Sequence, residues 1–460
     1  MVKAEFVATP KSQSSAGTMV SDTRAHGNIL NSNTASPQAT VRGAAPCISV
    51  SLLTGGIDRP YTFGLAMELV SKGVALEIVG GDGVDFPEFH TTPGIRFLNL
   101  LGSQRADVSA LRKVLRLLHF YARLLNYALR SNPRIFHILW NNRLQHFDRT
   151  FLTLLYRALG KKVVLTVHNV NAGKRDNNDS FGNRLTLRIQ YRLAQHIFVH
   201  SDKFKRELMD DFGVEAERVT VIPFGINNAV PKTSLTPAEA RQRLGIPAEK
   251  KAVLFFGRIT EYKGLEYLVE AFKRLSVKSP DYYLMIVGRP ENASRQYWNR
   301  IENDIRANVR PDCVLVRGEH VPDEETELYF KAADAFVLPY KQIYQSGVLF
   351  LGYSFGLPIL ASDIGDFREE IVQGQTGFVC KPEDPDDLAA ALEKYFSSGL
   401  YLDLDTHRER IRDAAAEAHS WDKVGRLTLG VYTELSRSHF PRLAEAHETS
   451  QSNLETKPPS

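Results

Sequence analysis

Short, continuous apolar runs recur along the chain, each separated from the next by room for a helix. In the first half they are CISVSLLT (47–54), ALEIVGG (75–81), IFHILW (135–140), KVVLTVHN (162–169), HIFVHS (196–201) and VTVIPFG (219–225). In the second half they are AVLFFGR (252–258), YYLMIVGR (282–289), CVLVRG (313–318), DAFVLPY (334–340), PILASD (358–363) and GFVCK (377–381). A strand wetted on one face alternates apolar with polar, whereas one covered on both faces is apolar throughout. These runs therefore predict parallel sheets between helical layers. Strand and helix alternating over the whole length give an α/β fold with right-handed crossovers. A chain of 460 residues exceeds one ordinary core, so two domains of about 150 to 200 residues are expected. The polar stretch NNAVPKTSLTPAEA (227–240) parts the two sets of runs, predicting two doubly wound domains of about six strands each with a cleft between them.

Composition narrows the class. With 43% hydrophobic and 24% charged residues and a net charge of +4, the chain reads as a soluble globular protein and not as a nucleic-acid binder. Cys47, Cys313 and Cys380 lie far apart without metal-ligand spacing, which suits a reducing compartment. No run reaches the roughly 18 apolar residues of a membrane span, and the N-terminus lacks a basic-then-apolar signal pattern. A cytoplasmic protein is expected. Residues 1–45 and 441–460, poor in large apolar side chains, read as disordered tails.

In open parallel sheets ligands bind beyond the carboxyl ends of the strands, so the strand-end residues are the candidates. The chain has no Walker A loop and no GxGxxG, which argues against a P-loop NTPase or a conventional dehydrogenase. After AVLFF comes GRITEYKG, with Arg258 and Lys263 on one loop. Two cations at a strand end match a diphosphate, one forking oxygens and the other acting as a point charge. After DAFVLPY comes YQSGVLFLGYSFGLP (344–358), a helix start with no charged residue. The N–H groups of Ser346, Gly347 and Val348 would face the same cleft as an anion site, with Ser346 as N-cap. DPD (384–386) and DLD (403–405) read as solvated acidic caps, and no metal is implied. His137, His196 and His200 form no ligand-spaced cluster and read as structural.

Taken together, FGRITEYKG (256–264), YQSGVLFLGYSFGLPILASD (344–363), IGDFREEIVQGQTGFV (364–379), TVHN (166–169) and VIPFGI (221–226) resemble the retaining glycosyltransferases of family GT4, with the two-domain, Rossmann-like GT-B fold. The resemblance covers nearly all of 46–440. It implies an acceptor-binding domain at 46–228, a linker at 229–247, a nucleotide-sugar-binding domain at 248–420 and a last helix at 421–440 crossing back to the first domain. It further implies that Gly257, Arg258 and Lys263 grip the diphosphate of a UDP- or GDP-linked donor. His168 would lie in the sugar pocket, Glu369 would bind donor, and Gly55 and Gly56 would form a glycine-rich loop near sugar and acceptor. No cofactor besides the donor substrate is implied. Two glutamates usual in the family are replaced by Tyr344 and Gly352. Two alternatives follow: a non-catalytic subunit of the same fold, or a nucleotide-sugar epimerase sharing the donor site.

Retaining transfer asks chiefly for stabilisation of the leaving diphosphate, here by Arg258, Lys263 and the helix N-terminus, with His168 positioning the sugar. The acceptor is expected to be a saccharide or lipid-linked saccharide of an envelope or extracellular polysaccharide. LRKVLRLLHFYARLLNYALRSNPR (111–134) carries Arg112, Lys113, Arg116, Arg123, Arg130 and Arg134 and no acid. It reads either as a crossover helix with solvated arginines or as one that also meets an anionic membrane from the cytoplasmic side. Lys161, Lys162, Lys174, Arg175, Arg184, Arg188 and Arg192 flank the His168 loop, as an acceptor-pyrophosphate site or as plain solvated surface.

Overall fold

The computed structural model describes residues 48–103, 109–175 and 179–437. The expected tails, Cys47 and the end of the last helix beyond residue 437 lie outside the described residues. The strands are β1 (Ser49–Leu53), β2 (Ala75–Gly80), β3 (Ile95–Asn99), β4 (Ile135–Ile138), β5 (Lys162–Thr166), β6 (His196–Val199) and β7 (Val219–Val221). They continue as β8 (Lys251–Phe256), β9 (Tyr282–Val287), β10 (Val314–Arg317), β11 (Ala335–Leu338), β12 (Ile359–Ser362) and β13 (Gly377–Cys380). They form a seven-stranded sheet ordered β3-β2-β1-β4-β5-β6-β7 and a six-stranded sheet ordered β10-β9-β8-β11-β12-β13. Pairing is parallel throughout, as at Leu52 with Ile78 and His137 or Phe336 with Ile359.

All twelve apolar runs contain strands. The thirteenth, β3, was not among them. It is an edge strand whose Arg96 is exposed, so only part of it carries the apolar signal. Central strands such as β4, β9, β11 and β12 are buried along their whole length, the sign of helices on both faces.

The stretch 229–247 holds the helix Pro237–Leu244, closed at its start by a Thr236–Glu239 capping box that satisfies two otherwise unpaired N–H groups. Arg241 fastens it to the second sheet through a 2.6 Å bond to Asp334, whose Oδ2 also accepts from the Ala252 N–H. The final helix, Trp421–Arg437, packs on the helix Arg59–Ser71 of the first sheet's layer. Trp421 is seated there by two glycines: a Cβ on Gly64 or Gly225 would come within 2.1 or 2.3 Å of its ring. Tyr432 of that helix bonds His137 Nδ1 at 2.6 Å, and burial holds that imidazole down at about 3. His137 is thus a neutral core group.

Candidate active site

Each sheet reverses its strand order once, at β1/β4 and at β8/β11, and loops leaving those strands surround a cavity of about 590 Å³. Asp58 and Tyr61 follow β1, Trp140 follows β4, and His168 and Asn169 follow β5. Facing them are Gly257, Arg258 and Lys263 after β8, Gly288 and Arg289 after β9, and Gln345 to Val348 after β11. Side chains are trimmed where the second sheet meets the cavity. Gly288 takes φ +152° and a Cβ there would lie 1.8 Å from the Gly257 carbonyl oxygen, so only glycine lets these two strand ends close up.

Lys263 ends a short 3-10 turn, Glu261–Lys263, and its side chain is buried. Its Nζ lies 5.3 Å from the centre of the Tyr340 ring, a favourable contact for a cation. Among the described residues no carboxylate forms an ion pair with it. Burial pushes this ammonium down to about 8; the Arg258 charge adds to the effect, and Tyr262 and Glu291 oppose it. A buried cation lacking an anion is costly, and an arriving diphosphate would supply one. Arg258 lines the same wall but is exposed, and its NH1 rests on Glu291 Oε1 at 2.8 Å. That pair is surface-like and readily exchanged.

The helix Gly347–Ser354 starts on the same wall. Ser346 stands at its N-cap position, buried, but its hydroxyl makes no capping bond. The hydroxyl lies 3.5 Å from that of Tyr340. The leading N–H groups are thus left to a ligand or to water, and the helix dipole favours an anion. Behind it Gly352 is pressed on the sheet, where a Cβ would come within 2.7 Å of Phe336 and Ile359.

On the opposite wall His168 is buried and stacks on Trp140 with ring centres 4.4 Å apart. Its tautomer follows from its partners. His200 Nδ1 is 3.3 Å from the Ile222 carbonyl, so it donates there, and its Nε2 accepts from His168 Nδ1 at 3.1 Å. Burial holds both imidazoles below their ordinary range, His200 at about 4, so both are neutral. His168 Nε2, buried without a partner, therefore carries a lone pair and accepts a hydroxyl proton. His200, read from sequence as structural, is the residue that fixes this state.

Asp58 was not singled out by sequence. It holds a left-handed φ of 56° at the N-cap of helix Arg59–Ser71, its Oδ1 accepts from the Tyr61 N–H at 3.2 Å, and burial lifts its carboxyl to about 6. The DRP sequence, a capping residue two before a proline, is the signal that marks it.

Other expected residues lie elsewhere. Gly55 and Gly56 turn the chain out of β1 with φ of 60° and 72° but line a separate small cleft, not the cavity. Glu369 is exposed on the helix Phe367–Glu370 and does not reach the cavity. In the basic cluster, Lys161 bonds the Ser131 and Pro133 carbonyls and Arg184 pairs with Asp179; none of its described residues lines the cavity. Asp384 caps the helix Pro385–Phe396 and Asp386 pairs with Arg274, away from the site.

Two family profiles match adjoining parts of the chain: Glycosyltransferase Family 4 over residues 55–230 and Glycosyl transferases group 1 over residues 250–398. The chain belongs to glycosyltransferase family 4. The D-inositol 3-phosphate glycosyltransferase of Acidothermus cellulolyticus is 28% identical over 235 residues, 50% of this chain and 51% of that protein. That of Corynebacterium diphtheriae is 23% identical over 390 residues, 79% of this chain and 85% of the relative. The chain thus spans about half the length of the first of these relatives. Among solved structures, the sucrose-phosphate synthase of Thermosynechococcus elongatus superposes with a TM-score of 0.69 at 19% identity, covering 85% of this chain and all of that one. HepE of Anabaena in complex with UDP gives 0.65 at 16% identity, covering 84% of this chain and 100% of its own. These likenesses establish the GT-B fold. Tyr344, read from sequence as replacing a glutamate, precedes the helix Gly347–Ser354. Its hydroxyl turns from the cavity to the Asn171 carbonyl at 3.1 Å and Glu207 Oε1 at 3.2 Å, bracing the two halves.

Proposed function

We propose that the protein is a retaining glycosyltransferase that moves a sugar from a UDP- or GDP-linked donor to a saccharide or lipid-linked acceptor. Its place is the cytoplasmic face of an anionic membrane, in the assembly of an envelope or extracellular polysaccharide. The observation that carries this reading is the buried ammonium of Lys263, which has no anion of its own. It shares one cavity wall with Arg258 and the uncapped start of helix Gly347–Ser354. Three positive features on one wall suit a diphosphate, and HepE, which shares the fold, was solved with UDP and with UDP-glucose.

As the glycosidic bond breaks, charge grows on the leaving diphosphate, and these groups would stabilise it. Each such donor is typically worth about 2 to 4 kcal/mol. The acceptor hydroxyl would pass its proton to the departing phosphate on the same face, so no second carboxylate of the glycosidase kind is needed. The lone pair of His168 Nε2 would orient a sugar hydroxyl.

Membrane contact is supported by the helix Ala110–Arg130. Leu111, Leu115, Leu118 and Leu129 share one face and are 69%, 56%, 61% and 63% exposed. Arg112, Arg123 and Arg130 are exposed along one flank. A leucine stripe facing outward beside arginines suits an anionic lipid surface. No helix among the described residues is long and apolar enough to cross a membrane.

The test is NMR of UDP- and GDP-hexoses incubated with the protein, with and without a membrane lipid extract. An α-linked donor should give nucleotide and an α-configured sugar product first. A β product would overturn the retaining mechanism, and intact donors would leave the transferase reading without support. Tyr344 and Gly352 favour one second reading, a non-catalytic subunit of the same fold, which would bind nucleotide without consuming the donor.

A further inference from the structure

The sugar-facing part of the cavity holds an unusual set of polar atoms. Both ends of the Gln345 side-chain amide, Oε1 and Nε2, are buried with no hydrogen-bond partner. So are His168 Nε2, Asn169 Oδ1 and Trp140 Nε1. All four residues line the one cavity. Leaving a buried polar group unpaired is costly, and native folds rarely leave several together unless a ligand or trapped water completes them. His168 is itself more than nine-tenths buried, with 6% exposure.

The cavity's carboxylates are engaged elsewhere. Asp323 pairs with Arg59 and Glu319 with Arg317, and Asp58 Oδ1 caps its helix. Tyr344, next to Gln345, gives its hydroxyl to Asn171 and Glu207. The buried cavity atoms without a partner on Gln345, His168, Asn169 and Trp140 all belong to neutral side chains. A side-chain amide offers two donors and an acceptor, whereas a carboxylate only accepts. An amide can therefore span two neighbouring hydroxyls, donating to one and accepting from the other.

We propose that Gln345 is the specificity-determining residue for the donor sugar. It reads a vicinal pair of hydroxyls on a pyranose, across the cavity from His168 and Asn169. The proposal rests on the donor-site reading above and adds the residue that selects the sugar.

Calorimetry with UDP and GDP, and then with UDP-glucose, UDP-galactose and GDP-mannose, separates the two. In the wild type at least one sugar conjugate should bind more tightly than its bare nucleotide. Gln345→Ala and Gln345→Leu should leave the bare nucleotide within twofold and weaken the conjugate at least tenfold. Gln345→Glu, which keeps the acceptor, should recover part of that loss. Equal weakening of nucleotide and conjugate would mark Gln345 as a merely structural residue and overturn the proposal. So would an unchanged ratio of the two affinities. If the wild type binds neither nucleotide, the donor-site reading fails first and the assignment of Gln345 falls with it.

Discussion

Replacing Lys263 with methionine should weaken nucleotide binding and stabilise the fold at once. The side chain is buried and its ammonium sits at about 8 instead of the ordinary 10.5. That difference corresponds to about 3 kcal/mol by which the folded protein disfavours the charged form relative to the unfolded chain. Between the two values the unfolded chain holds the proton and the folded one has released it, so raising the pH from 8 toward 10.5 stabilises the wild type. Below pH 8 the full cost is present, and Lys263→Met removes it, so the variant should be the more stable at pH 7 and lack the alkaline rise. Binding runs the other way. If the diphosphate takes only the ammonium form, the usable fraction falls from about nine-tenths at pH 7 to about one-tenth at pH 9, and Kd rises roughly tenfold. The diphosphate itself is already ionised there, its last group titrating near about 6. Calorimetry in two buffers of different ionisation enthalpy should find uptake of about half a proton per nucleotide at pH 8, and none in the variant. A variant with the wild-type pH dependence, or one less stable at pH 7, would refute the buried, unpaired ammonium.

Arg258→Ala should lower nucleotide affinity and turnover at least tenfold with thermal stability unchanged. Glu291→Gln, which frees Arg258 from its resting partner, should tighten nucleotide a few-fold; calorimetry reads both. His168→Ala should cut turnover far more than nucleotide affinity. Because burial keeps His168 neutral, no limb of the wild-type pH–rate profile near about 6.5 should trace to it; such a limb that vanished in the variant would contradict the assigned tautomer. Leu111→Gln with Leu115→Gln and Leu118→Gln should weaken sedimentation with anionic vesicles without lowering the melting temperature. A loss of stability would mean those exposed leucines pack against something in the native protein.

Much of this fold was readable because doubly covered strands advertise themselves. The segments 135–140 and 282–287 are apolar but for His137 and became buried β4 and β9. The edge strand β3, only partly covered, gave no such signal. Loop positions of Arg258, Lys263 and Ser346 to Val348 were legible from strand ends alone. Whether a cation there is wet or buried was not: Lys263 and Arg258 look alike in sequence, yet one is enclosed under Tyr340 and the other is exposed. Glu369 was placed by pattern, but it lies exposed on the helix Phe367–Glu370, outside the cavity lining. His200 and Gln345 could not be picked out, because their meaning lies in what they touch or fail to touch across the fold. A residue without partners leaves no trace in a sequence.

The central claim is that this cavity holds a nucleoside diphosphate on Lys263, Arg258 and the start of helix Gly347–Ser354. Calorimetric titration of UDP and GDP into the wild type, beside Arg258→Ala and Lys263→Met, tests it most directly. Saturable one-to-one binding of at least one nucleotide, weakened tenfold or more in each variant, is the predicted result. A wild type that binds neither nucleotide, or variants that bind as tightly as the wild type, would contradict it.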